Sequence, residues 1–238
     1  VKTKLDSEAV LSWVLSALAG MAGAVAYAHT SGYFVTFMTG NTERAVIGHF
    51  VGTSDVAFGG LGLIAAFLAG VVVASLLRRH VWRRHPHGAS VLTTISLVGA
   101  SVVELGINGW LGDEVTFTPV LFIAFGMGAL NCSFVRGGEV SIPLSYVTGT
   151  VVKLGQGIER HLSGGSVFDW LGYALVYVSF AVGAAAGGLL DLVTTGAQML
   201  AATTVACALV SVYTYVHLDR VPIPHQQNAD RQPLRGGR

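Results

Sequence analysis

Charge is what this sequence has little of. Only 11% of its 238 residues are Asp, Glu, Lys or Arg, against 52% hydrophobic, where a soluble domain carries roughly a quarter charged residues. A chain of this size in water needs a polar shell around its core, and the side chains to build one are missing. Cysteine is scarce too: Cys132 and Cys207 lie in apolar stretches without metal-ligand spacing, read as small hydrophobes and say nothing about redox compartment. A net charge of +1 gives no basis for a nucleic-acid partner. There is no Gly-x-Ser-x-Gly elbow, His-Glu-x-x-His, phosphate-binding loop or cysteine cluster, so neither an enzyme nor a cofactor is expected.

What the chain does have is long uncharged apolar runs. Val10–Ala28, Val56–Leu77, Val115–Val135 and Trp170–Leu190 each reach the ~20 residues needed to cross the hydrocarbon core. Val91–Leu111, interrupted by Glu104, and Leu192–His217 bring the expected spans to six, in one membrane domain over residues 1–221. Residues 1–9 are polar and no small-residue cleavage site follows the first run, so no cleaved signal peptide is expected. The tail 222–238 reads as disordered.

The chain also repeats itself weakly, residues 10–111 against 115–217. Gly20-Met21 matches Gly126-Met127, with Gly32 and Gly138 twelve residues after each glycine, and Thr39-Gly40-Asn41-Thr42 matches Thr148-Gly149-Thr150-Val151. Phe67-x-x-Gly70-x-x-x-Ala74 matches Phe180-x-x-Gly183-x-x-x-Gly187. Each half carries three spans and a shorter apolar segment, roughly 33–50 and 140–158, which opens with strand-like residues and turns helical at its Thr-Gly pair. Thr39 or Asn41, and Thr148, are the expected N-caps. Twelve residues from Thr39 to Phe50 make about 18 Å of helix, half of a ~30 Å hydrocarbon layer. Both segments therefore read as re-entrant, extended on entry and half-helical on exit.

Charge placement supports this reading. With the N-terminus in the cytoplasm, thirteen of the fourteen Lys and Arg fall on the inner side, and Asp55, Asp113, Glu114 and Asp191 face out. Arg44 is the exception. If the short segments crossed fully, span parity would strand one basic group outside. Six spans with two re-entrant segments give an all-α membrane protein of two inverted three-helix repeats.

Two half-helices entering from opposite faces would point their N-termini, with free N–H donors and partial positive charge, at the bilayer midplane. Their non-helical lead-ins must be buried or line a water-filled cavity. Broken helices at matched positions of two inverted halves point to a transporter's binding site. The expected function is thus a transporter or channel for a small anionic or neutral solute, held by Thr39, Gly40, Asn41, Thr42, Arg44, Asn131, Thr148, Gly149, Thr150 and Lys153. The rival is a non-transporting membrane scaffold whose Thr-Gly segments only pack helices. Ionisable residues within spans are functional candidates by default. Glu104 would carry a coupling proton or act as a structural lock; Glu43 suits the helix dipole; His29 lines a pathway or sits at the interface. The Arg78–His87 loop suits anionic lipid headgroups. The small-xxx-small patterns at Gly70 and Gly183 would pack the second span on the fifth, or else form a homodimer.

The stretch Gly32-Tyr33-Phe34-Val35-Thr36-Phe37-Met38-Thr39-Gly40-Asn41-Thr42 resembles the motif of the YoaK-like family of bacterial membrane proteins. Gly128-Ala129-Leu130-Asn131 and Val147-Thr148-Gly149-Thr150 resemble its second-half signature. The resemblance covers essentially the whole chain. Glu43-Arg44, where apolar residues would follow the motif, and the long basic loop depart from it. It implies a bacterial inner-membrane protein of about six spans and brings no substrate or activity.

Overall fold

The computed structural model describes residues 7–30, 32–82, 85, 87–136, 139–142 and 144–218. The expected disordered tail, 222–238, lies outside the described residues. Within the described residues eight α-helices follow one another: α1 (Ser7–His29), α2 (Met38–Phe50), α3 (Ser54–His80), α4 (Ala89–Asn108), α5 (Phe117–Leu130), α6 (Val147–Leu162), α7 (Phe168–Asp191) and α8 (Gly196–Tyr213). Helix ends follow local chemistry. Gly109, at φ +70°, stops α4, and a reciprocal Thr195–Gln198 capping box starts α8. A short hairpin pairs Val135–Arg136 with Glu139–Val140 ahead of α6.

Among the described residues five helices are long and apolar enough to cross a membrane: α1, α3, α4, α7 and α8 with its π-helical extension to Leu218. The expected span Val115–Val135 is shorter. It is helical only over Phe117–Ser133, the last turn being 3₁₀. Asn131 is the cause: its amide donates to Met127 O at 2.8 Å and Ser145 Oγ at 2.7 Å and accepts from Ser145 N at 3.1 Å, turning the chain out of the helix. Large exposed apolar side chains line the outer faces, among them Phe58, Leu68 and Leu76 on α3 and Val178, Val182 and Leu189 on α7. A surface like this is stable only against lipid.

Close backbone approaches set helix direction. α1 and α7 run parallel: Ser16 Oγ donates to Val176 O at 3.1 Å and, further along both helices, Ala24 lies against Gly187, with Gly20 against Phe180 O and Gly183 against Ala17 O between them. α3 and α5 also run parallel, with Gly62 against Leu121, Gly70 against Phe125 O and Ser75 Oγ 3.8 Å from Cys132 Sγ in order along both chains, and Gly128 packed against Phe67 O. The small-xxx-small residues thus pack α3 on α5 at Gly70 and α7 on α1 at Gly183, and not, among the described residues, α3 on α7 as the pattern predicts. α4 is antiparallel to α5, through Ser96 Oγ to Phe122 O at 2.7 Å and Thr93 Oγ1 to Gly126 O at 2.9 Å. It is also antiparallel to α8, through Ser101–Thr204 and Thr94–Ser211 hydroxyl pairs, each at 2.8 Å. The core, built on Leu15, Leu18, Val25, Leu97, Ile123, Met127, Met199 and Leu200, fills the space between α1, α4, α5 and α8.

Candidate functional site

α2 and α6 each follow a lead-in with a buried apolar residue, Val35 and Leu144. Each turns back along the following helix, with Gly48 against Ala57 of α3 and Gly157 against Asp169 and Trp170 of α7. Both start earlier than expected. α2 begins at Met38 and α6 at Val147, so Thr39 and Thr148 lie within the first turn and cap nothing. The N-cap positions are Phe37 and Tyr146, with ψ of 74° and 67° and no side-chain cap bond. Each aromatic ring folds over the glycine three residues on, Phe37 on Gly40 and Tyr146 on Gly149, filling the space a Cβ would need. The glycine of each Thr-Gly pair thus serves its own turn. The first lead-in, expected to be strand-like over residues 33–37, is irregular.

The lead-ins are buried through Val35 and Leu144, both 1% exposed or less. Thr36 sits beside Gly23 of α1, and Ser16 Oγ of the same helix donates to Leu144 O at 2.9 Å. Asn41, fully buried, donates through Nδ2 to Phe34 O at 2.6 Å, and its Oδ1 has no hydrogen-bond partner among the described residues. Thr42 and Thr150 hydroxyls turn back to Met38 O at 2.9 Å and Tyr146 O at 3.1 Å. Thr39, Thr148 and Glu43 are exposed. Arg44 and Lys153 are half-buried: the guanidinium lies 4.9 Å from the centre of the Phe34 ring, and the ammonium 5.7 Å from that of Tyr173.

Residues 39–42 and 148–151 each lie at the start of their own half-helix, α2 running along α3 and α6 along α7. An open apolar groove lies elsewhere, along α8 between Trp110, Gln198, Val205 and Leu209.

Glu104 is fully buried at the α4–α5 turn. Its carboxylate accepts from Asn108 Nδ2 at 2.5 Å, Thr116 N at 2.9 Å and Thr116 Oγ1 at 3.1 Å. It thereby satisfies a free donor at the start of α5 and ties the two helices. His29 ends α1 with Nδ1 2.7 Å from Asp113 O and Nε2 2.8 Å from Asp191 Oδ1. Phe37, Tyr146 and Ser145 are not singled out by the sequence. The first two were visible there as an aromatic three residues before each Thr-Gly glycine.

Apolar helices of spanning length, an apolar outer surface and buried polar side chains bonded to one another define a multi-pass α-helical membrane protein. The chain belongs to the family described as protein of unknown function (DUF1275), whose model matches residues 11–213. It is also similar to the UPF0700 transmembrane protein RA0705 of Rhizobium meliloti (strain 1021), 30% identical over 180 residues, covering 74% of this chain and 72% of that protein. No solved structure matches.

Proposed function

We propose that this protein carries a small anionic or neutral solute across the bacterial inner membrane, as a transporter or channel built from two inverted halves. α1, α3 and α4 form one half, and α5, α7 and α8 the other. The contact directions support the inversion. α1 runs with α7 and α3 with α5, α4 opposes both α5 and α8, and α1 ends where α5 begins, Val115 N donating to His29 O at 2.7 Å, so each helix opposes its counterpart. In this register Gly20 corresponds to Gly128, two residues beyond the Gly20-Met21 and Gly126-Met127 match. With α5 as a short sixth crossing, α2 exits outward and α6 inward, both termini are cytoplasmic, and the basic ends of α3 and α6 share the inner face.

The observation that carries the proposal is the pair of uncapped half-helix starts. Both lead-ins abut α1, Leu144 at Ser16 and Thr36 at Gly23, seven residues or about 10 Å apart along the helix axis. Such starts offer N–H donors and a positive dipole end, suited to an anionic or polar group. Arg44 and Lys153 add a cation one to two turns along each half-helix. The Phe37–Gly40 and Tyr146–Gly149 contacts favour the second reading, a scaffold in which these turns only pack.

A thermal-shift screen of the purified protein with small anions and metabolites separates the two. A solute of the folded state at about a hundred times its Kd stabilises by roughly 2.7 kcal/mol. The proposal expects at least one such compound, with the shift reduced in Arg44→Ala or Thr148→Ala. A wild type that no compound shifts, or two variants that respond as wild type does, leaves the scaffold.

A further inference from the structure

The two halves differ at one place where they otherwise correspond closely. α4 and α8 meet through the Thr94–Ser211 and Ser101–Thr204 hydroxyl pairs. Setting Thr94 on Thr204 places Ser101 on Ser211, so one two-fold operation exchanges the two pairs. Setting Gly20 on Gly128 places Gly23 on Asn131, and setting Phe37 on Tyr146 places Thr36 on Ser145. These partners also meet in the same way: Asn131 bonds to Ser145, and a Cβ on Gly23 would lie 3.4 Å from Thr36 Oγ1.

In the second half the Asn131 carboxamide fills the cleft between α5 and its lead-in. Its oxygen accepts from Ser145 N at 3.1 Å, and its nitrogen donates to Ser145 Oγ at 2.7 Å and Met127 O at 2.8 Å. Both residues are buried. In the first half the glycine brings no such group. Thr36 N and Oγ1 have no hydrogen-bond partner among the described residues, and Gly23 and Thr36 are both half-buried. Ala19 O stands in the place of Met127 O. Where Gly20 and Gly183 are pressed on backbone, a Cβ on Gly23 would meet only Thr36, at ordinary contact distance. The same lead-in holds another unmet acceptor. Asn41 Nδ2 is committed to Phe34 O, which can only accept, so the fully buried atom without a partner is the oxygen, Oδ1.

We infer that the Gly23–Thr36 cleft binds a neutral solute bearing a carboxamide, the group that Asn131 supplies internally in the other half. The solute's carbonyl accepts from Thr36 N, and its N–H groups donate to Thr36 Oγ1 and Ala19 O. A carboxylate of the same shape would turn lone pairs toward Ala19 O, and toward Asn41 Oδ1 on the same lead-in, neither of which can donate. The inference rests on the solute-carrying reading above and narrows its solute to the neutral class.

Acetamide and acetate, which differ in the N–H groups alone, are the probes, with melting temperature of the purified protein as the readout. Acetamide should raise the melting temperature of wild type at a concentration about tenfold lower than acetate does, as the loss of one or two hydrogen bonds implies. Gly23→Asn should install the Asn131 arrangement, melt at or above wild type and no longer respond to acetamide. Thr36→Val should fold and lose the response as well. Acetate acting as well as acetamide, or a folded Gly23→Asn that responds as wild type does, overturns the amide site and leaves the solute-carrying reading standing. If Gly23→Asn does not fold, Thr36→Val decides, and an unchanged acetamide response there overturns the site. A wild type that neither these probes nor any other anion or metabolite shifts overturns both.

Discussion

Replacing Gly183 with alanine tests the helix packing on which the bundle depends. Gly183 faces α1, where a Cβ would fall well inside 3.0 Å of Ala17 O, and backbone cannot swing aside as a side chain does. To restore contact distance α1 and α7 must part by roughly 1 Å, and a gap of 0.5–1 Å forfeits a quarter to a half of each dispersion contact it opens. The loss spreads along the seam that Ser16, Gly20 and Ala24 make with Val176, Phe180 and Gly187. Overpacking of this kind costs about 1–3 kcal/mol, set against a gain of up to about 1 kcal/mol from alanine's helix propensity. Gly188, on the same helix, has nothing within 4 Å of its Cβ position, so Gly188→Ala keeps the gain without the clash. Unfolding of the purified protein in detergent should therefore place Gly183→Ala below wild type and Gly188→Ala at or above it. Equal stability of the two variants would refute the close parallel seam.

Glu104→Ala removes the acceptor for three donors at the α4–α5 turn and should cost about 2–4 kcal/mol in the same unfolding assay, with Glu104→Gln losing less. Asn131→Ala strips Ser145 N of its partner and should cost about 2 kcal/mol, whereas the same change at the exposed Gln156 should be nearly neutral. Gly40→Ala should destabilise when Phe37 is present and much less beside Phe37→Ala. A double-mutant cycle should read this as coupling, since the ring occupies the Cβ position.

The parts of the fold legible in the sequence were those set by solvent. Runs such as Val56–Leu77 and Trp170–Leu190 cannot be placed in water, and they became α3 and α7. The shortening of α5 was not legible, because Asn131 breaks the helix only through Ser145, fourteen residues on. Gly70 and Gly183 announced close approach without saying to which helix, since a small residue marks room and carries no partner's identity. At the candidate site, Thr39 and Thr148 matched N-cap preference, yet each helix had already begun at the residue after an aromatic. The threonine rule could not register a cap position filled by a ring. Asp191 at the His29 ring is 162 positions away in sequence, so that contact was visible only in three dimensions.

The opposed exits of α2 and α6 are the claim on which the inverted architecture and its proposed solute path both rest. Phe50 and Leu162, each 82% exposed, mark those exits. Phe50→Cys and Leu162→Cys, made singly with the buried Cys132 and Cys207 replaced by alanine, can be treated with a membrane-impermeant maleimide on intact spheroplasts and on inverted vesicles. The account predicts that Phe50→Cys is labelled only from outside and Leu162→Cys only from inside. Labelling of both from one face would contradict it.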